Sequence, residues 1–177
     1  VCSSDLLTLF AIAFVIGAAG AQTQNIAVSA NVSTQLYFVS APSTLELGTL
    51  NLSTGTYTAG TVYIRSNLKS WKLKVSADNS ELRQWDGSAY VTSGDPSTVP
   101  YTFSFNTASS VPAEKIVNQT LATTPSAATT ASFSRKATGG SAGEAFSVRV
   151  DVPAEPSGSS WEAANYQVIL YLTLSAT

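Results

Sequence analysis

Ser70-Trp71-Lys72-Leu73-Lys74-Val75-Ser76-Ala77 alternates apolar and polar residues without a break. Successive side chains of a β-strand point to opposite faces, so Trp71, Leu73, Val75 and Ala77 share one face. Ser70, Lys72, Lys74 and Ser76 share the other. The stretch therefore predicts a half-buried antiparallel strand with Trp71 in the core and the lysines in solvent. A helical reading fails, because period 2 scatters the apolar residues around a helix of period 3.6.

The same period spreads outward in both directions. Phe146, Val148, Val150 and Val152 alternate with Ser147, Arg149 and Asp151. Val62 and Ile64 alternate with Tyr63 and Arg65, and Tyr101, Phe103 and Phe105 with Thr102 and Ser104. Ile26, Val28, Ala30 and Val32 predict a further one-faced strand. Residues 166–174 are apolar on both parities, which predicts a central strand or one covered on its outer side. Turn residues punctuate these runs, at Ala41-Pro42-Ser43, Ser53-Thr54-Gly55, Asp78-Asn79-Ser80 and Pro156-Ser157-Gly158. Trp85-Asp86-Gly87-Ser88-Ala89-Tyr90 predicts a tight hairpin on an Asp-Gly turn. Residues 107–130 are the weakest stretch, open to a long loop, an edge strand or a short helix over 112–117. The fold expected is all-β: a mainly antiparallel, immunoglobulin-like β-sandwich of about eight to ten strands.

Composition narrows the chemistry. The chain has 177 residues, 44% apolar and 11% charged, with 26 Ser, 21 Thr, one Cys and neither His nor Met. Without His there is no Ser-His-Asp or Cys-His catalysis and no imidazole metal ligand. One cysteine makes neither a zinc knuckle nor a disulfide framework. A formal net charge of −2 argues against a nucleic-acid partner.

The opening residues 1–6 read as translated sequencing adapter. Residues 6–20, LLTLFAIAFVIGAAG, are an apolar run ending at Ala19-Gly20-Ala21, as a secretory signal peptide does. The run is short for a membrane span. Residues 1–21 are therefore expected to be adapter plus truncated signal peptide. Residues 22–177 are expected to be a single secreted β-sandwich domain, extracellular or at the cell surface, with no membrane segment in the mature form.

Candidate chemistry is sparse. Asp78, Asp86 and Asp95 fall in turns, where a short carboxylate caps backbone N–H groups, and Asp151 points outward beside Arg149. Asp78-Asn79 with Glu81 lacks the glycine-spaced loop of a calcium site. No catalytic residue, cofactor or metal is expected. Aromatic faces stack on sugar rings, which makes Trp85, Tyr90 and Trp161 candidate glycan contacts. Lys69, Lys72 and Lys74 form a cationic strip suited to anionic wall polymers. A cross-strand Trp85–Tyr90 pair and solvent-facing lysines that block edge pairing are the plainer alternatives.

Leu45-Glu46-Leu47-Gly48-Thr49-Leu50 resembles the early Leu-x-Phe-Gly segment of WxL-type cell-surface domains. Trp71-Lys72-Leu73 resembles their first Trp-x-Leu motif, and Val152-Pro153 with residues 166–176 resembles their closing segment, with Leu172-Thr173-Leu174 where Trp-Thr-Leu is usual. The closing strand is also similar to that of spore coat protein U-like and pilin-like secreted sandwiches. The resemblance implies non-covalent association with the cell wall, with Trp71 and Leu73 as signature core positions. The leading expectation is thus a non-enzymatic exported protein held to the envelope by a cell-wall polymer or surface glycan. The alternative is a fimbrial or coat subunit that self-assembles by strand exchange, residues 26–32 entering a neighbour's groove. Between the two, self-pairing of 26–32 within its own sheet is favoured.

Overall fold

The computed structural model describes residues 27, 29–94, 96–107, 116–157 and 161–177. The chain divides into two units, residues 1–32 and 33–177. In the first, the described residues 27 and 29–32 carry no strand, and Val32 is 83% exposed. The strand expected over 26–32 is therefore not formed in its described part; Ile26 and Val28 lie outside the described residues.

The second unit is all-β. Its strands are β1 (Leu36–Ser40), β2 (Thr56–Ser66), β3 (Trp71–Ala77), β4 (Glu81–Gln84), β5 (Thr98–Pro100), β6 (Thr102–Thr107), β7 (Ile116–Gln119), β8 (Thr129–Phe133), β9 (Glu144–Val152), β10 (Tyr166–Gln167) and β11 (Leu170–Ala176). Among the described residues that is one strand more than the upper end of the expected range. Every pairing is antiparallel. One sheet runs β1-β2-β9-β6-β7. Facing it are β11-β3-β8 and, further along the same layer, β10-β4-β5. The continuity is local: β4 follows β3 after a three-residue turn, 78–80, and β11 follows β10 after 168–169. The Asp78 and Trp85 N–H groups donate across that gap to the Ile169 and Asn165 carbonyls.

Parity builds the core. Val62, Ile64, Phe146, Val148 and Val150 of one layer meet Trp71, Leu73, Val75, Ala131 and Phe133 of the other, all buried. Trp71 stacks on Phe133 at 3.9 Å between ring centroids and meets Phe146 edge-on at 5.9 Å. Phe105 stacks on Phe146 at 5.3 Å, so one aromatic cluster joins both layers. The Trp71 indole N–H donates to the Arg135 carbonyl at 2.8 Å, which satisfies the one polar atom buried with the ring.

One expectation is corrected. Residues 166–174 do not form a central strand: β10 and β11 are edge strands, with Ile169 42% and Tyr171 49% exposed. Of the alternatives open for 107–130, an edge strand forms at Ile116–Gln119 as β7, while 108–115 fall outside the described residues.

Candidate functional site

The fully buried apolar side chains come mostly from β2, β3, β6, β8 and β9. The half-buried ones come largely from the ends of the unit: Leu36, Phe38, Leu45, Leu47 and Leu50 near its start, and Trp161, Tyr166, Val168, Leu170, Leu172 and Leu174 near its close. Apart from Leu36 and Leu174, these two sets line a cleft of about 1440 Å³. Small-molecule pockets run to roughly 300–1,000 Å³, so the space is large for one.

One wall is the stretch 41–52, which contains no strand. Leu45 and Leu47 turn inward while Glu46 stays exposed, so the stretch keeps strand-like parity without a pairing partner. It packs directly on β2 because Gly60 leaves room: a Cβ there would meet Leu45 Cδ2 at 2.7 Å and Pro42 Cγ at 3.2 Å. The other wall is the free edge of β10 and β11, with Tyr166, Val168, Leu170 and Leu172. Val62, Val148, Val150, Phe103 and Leu82 form the floor.

Glu155 ties the walls together at one end. Its N–H donates to the Leu52 carbonyl at 2.8 Å, and its Oε1 accepts from the Trp161 N–H at 2.5 Å. Nearby, Gln84 Nε2 donates to Glu162 Oε2 at 2.5 Å and to Ser97 Oγ at 3.2 Å, while the Tyr166 hydroxyl bonds Ser97 and donates to the Glu162 carbonyl at 2.9 Å. These bonds anchor 161–167 to β4 and to the residue just before β5.

The expected site residues do not converge. Trp71 and Leu73 are fully buried in the core. Trp85 and Tyr90 form an edge-on pair at 5.2 Å across a four-residue turn. Asp86 caps that turn through the Ser88 and Ala89 N–H groups, and these bonds hold its carboxyl below the usual carboxylate range, Ala89 contributing most. Arg83 lies 5.6 Å from the Tyr90 ring, a contact the sequence did not signal. Burial, then the hydrogen bond its hydroxyl donates to Asp78, pushes Tyr90 up to about 12. Burial also pushes Tyr101 up. Trp161 belongs instead to the cleft wall. Lys72 and Lys74 lie on the outer face of β3, opposite Ser175 and Thr173 of β11, and Lys69 is exposed in the turn before it. Since β3 is the middle strand of its sheet, these lysines guard no edge.

The carboxylates serve the framework. Asp78 accepts from the Ile169 N–H at 2.8 Å as well as from Tyr90, Glu81 accepts from Thr98 Oγ1 at 2.7 Å, and Glu144 and Asp151 pair with Arg135 and Arg149. Asp95 lies outside the described residues. Among the described residues no group of three or more metal-ligating side chains assembles, and no buried side-chain nitrogen or oxygen lacks a partner. The cleft itself was missed by sequence reasoning. Its signals were the two-sided apolarity of 166–174 and the alternation at Leu45 and Leu47.

No protein-family model matches the chain, and no curated protein matches it.

Proposed function

We propose that the chain is a non-enzymatic, exported structural protein that works by holding an extended peptide segment in the cleft beside β11. The observation that carries this reading is the pair of facing walls, 41–52 and 166–172, both apolar toward the cleft and both lacking a strand partner there. An extended segment laid between them would pair with the free edge of β11 and cover the half-buried leucines, which is how strand addition supplies both affinity and register. The apolar run 6–20 and the small residues at 19 and 21 support export. The stretch that resembles the early segment of WxL-type domains, 45–50, is the one that lines the cleft, so the resemblance bears on this surface as much as on the core.

A second reading, envelope association through wall polymer or surface glycan, is favoured by the half-exposed Trp85–Tyr90 pair with Arg83 beside it. One comparison separates the two. A strand-holding subunit runs as a high-mass species in light scattering and stays in the supernatant when purified sacculi are pelleted. A wall binder stays monomeric and pellets with sacculi, and Trp85→Ala then releases it.

A further inference from the structure

Charge narrows what the cleft can hold. Two charged side chains line it, Glu46 and Glu162, and both are carboxylates. They stand on opposite walls, Glu46 in the stretch 41–52 and Glu162 in the segment that leads into β10. No lysine or arginine lines it. Resting on the strand-holding reading above, we infer that the segment held beside β11 is a basic peptide, in which apolar residues alternate with lysine or arginine.

The fold leaves these two carboxylates available. Asp78, Glu81, Asp86, Glu144, Asp151 and Glu155 each hold a hydrogen bond or an ion pair within the framework. Among the described residues, Glu46 is the one carboxylate that has neither. Glu162 accepts from Gln84 through Oε2, and its Oε1 takes no bond from a described residue. Both side chains are exposed. Glu46 lies between the inward Leu45 and Leu47, so it points away from the floor. A segment that turns its apolar face to the half-buried leucines turns its alternate residues outward, on the side where Glu46 stands. Opposite charges on the outward faces of adjacent extended segments attract, and like charges repel. Apolar walls strengthen both effects, because low-dielectric surroundings focus the field of the carboxylates across the gap. An acidic segment is repelled from both walls, and a neutral one gains nothing from them. The two carboxylates therefore select the segment more than they hold it, since exposed ion pairs contribute little singly.

The test is fluorescence anisotropy of the full chain with three labelled peptides that share one apolar face: Thr-Val-Lys-Val-Lys-Val-Thr, Thr-Val-Thr-Val-Thr-Val-Thr and Thr-Val-Glu-Val-Glu-Val-Thr. At low ionic strength the lysine peptide is expected to bind on the order of tenfold tighter than the neutral one, as two exposed ion pairs together provide. The glutamate peptide is expected to bind more weakly than either. Glu46→Gln, at an exposed side chain without a bond to lose, should reduce the preference, and adding Glu162→Gln should abolish it. Ser147→Lys makes the same change in net charge as Glu46→Gln, but on the exposed outer face of β9, and should leave the preference in place. Equal binding of all three peptides, or tighter binding of the acidic one, overturns the basic occupant and keeps the strand-holding cleft. A preference that survives both glutamine substitutions, or falls as far with Ser147→Lys as with Glu46→Gln, also overturns it, because the attraction then lies outside the cleft. Binding of none of the three removes the strand-holding reading together with the inference.

Discussion

Trp71 is the residue on which the two layers are pinned. It is fully buried, stacked on Phe133, edge-on to Phe146 and bonded through its indole N–H. Truncating such a ring leaves a cavity the sandwich cannot refill, so Trp71→Ala is expected to cost about 3–5 kcal/mol in equilibrium denaturation. A loss below about 1 kcal/mol would mean that the two layers do not close on this ring. Tyr90 gives a second prediction at this scale. Its folded hydroxyl is raised from the ordinary 10.0 to about 12, so the neutral form is the one the fold favours. The stability this contributes is fully present below pH 10 and is lost as pH rises toward 12. Tyr90→Phe should therefore reduce the alkaline fall in melting temperature between those limits, leaving the part due to Tyr101, which burial raises further. An unchanged slope would show that neither burial nor the Asp78 bond raises Tyr90. Trp71 was legible because parity alone places it. The Asp78–Tyr90 bond was not, because it joins two turns whose approach depends on the whole second layer.

At the scale of elements, the alternating runs around Trp71, Phe103, Val148 and Ile64 became β3, β6, β9 and β2 with the expected faces inward. Pattern reading succeeds there because a one-residue slip would turn every apolar side chain to water. It failed where an apolar pattern has no partner in the chain. Residues 166–174 looked central because both parities are apolar, yet they form an edge, and 26–32 looked like a paired strand, yet its described part carries none. Both misreadings have one physical cause: periodicity reports that a face must be covered and not which molecule covers it. The entry to β2 offers a sharper test of a local element. Gly55 sits at φ +78, and a Cβ there would lie 2.6 Å from the Val152 carbonyl oxygen, a backbone atom that cannot swing aside. Gly55→Ala is expected to cost about 1–3 kcal/mol by strain and crowding, measured by urea denaturation. A neutral result would mean that β2 and the end of β9 separate easily at this end.

For the molecule as a whole, the sandwich was legible and the cleft was not. Composition left no imidazole, and alternation fixed the class. A gap between two walls, however, exists only after β1, 41–52 and β11 have been brought to the same side. The central claim is that the free edge of β11 is completed by an extended segment laid in the cleft. The most direct measurement is hydrogen–deuterium exchange on residues 166–176, read separately in the high-mass and monomeric fractions of the chain. The account predicts slower exchange in the high-mass fraction across β10 and β11, with β3, already paired on both sides, unchanged. Equal exchange of 166–176 in both fractions, or a chain that stays monomeric at every concentration, would contradict it.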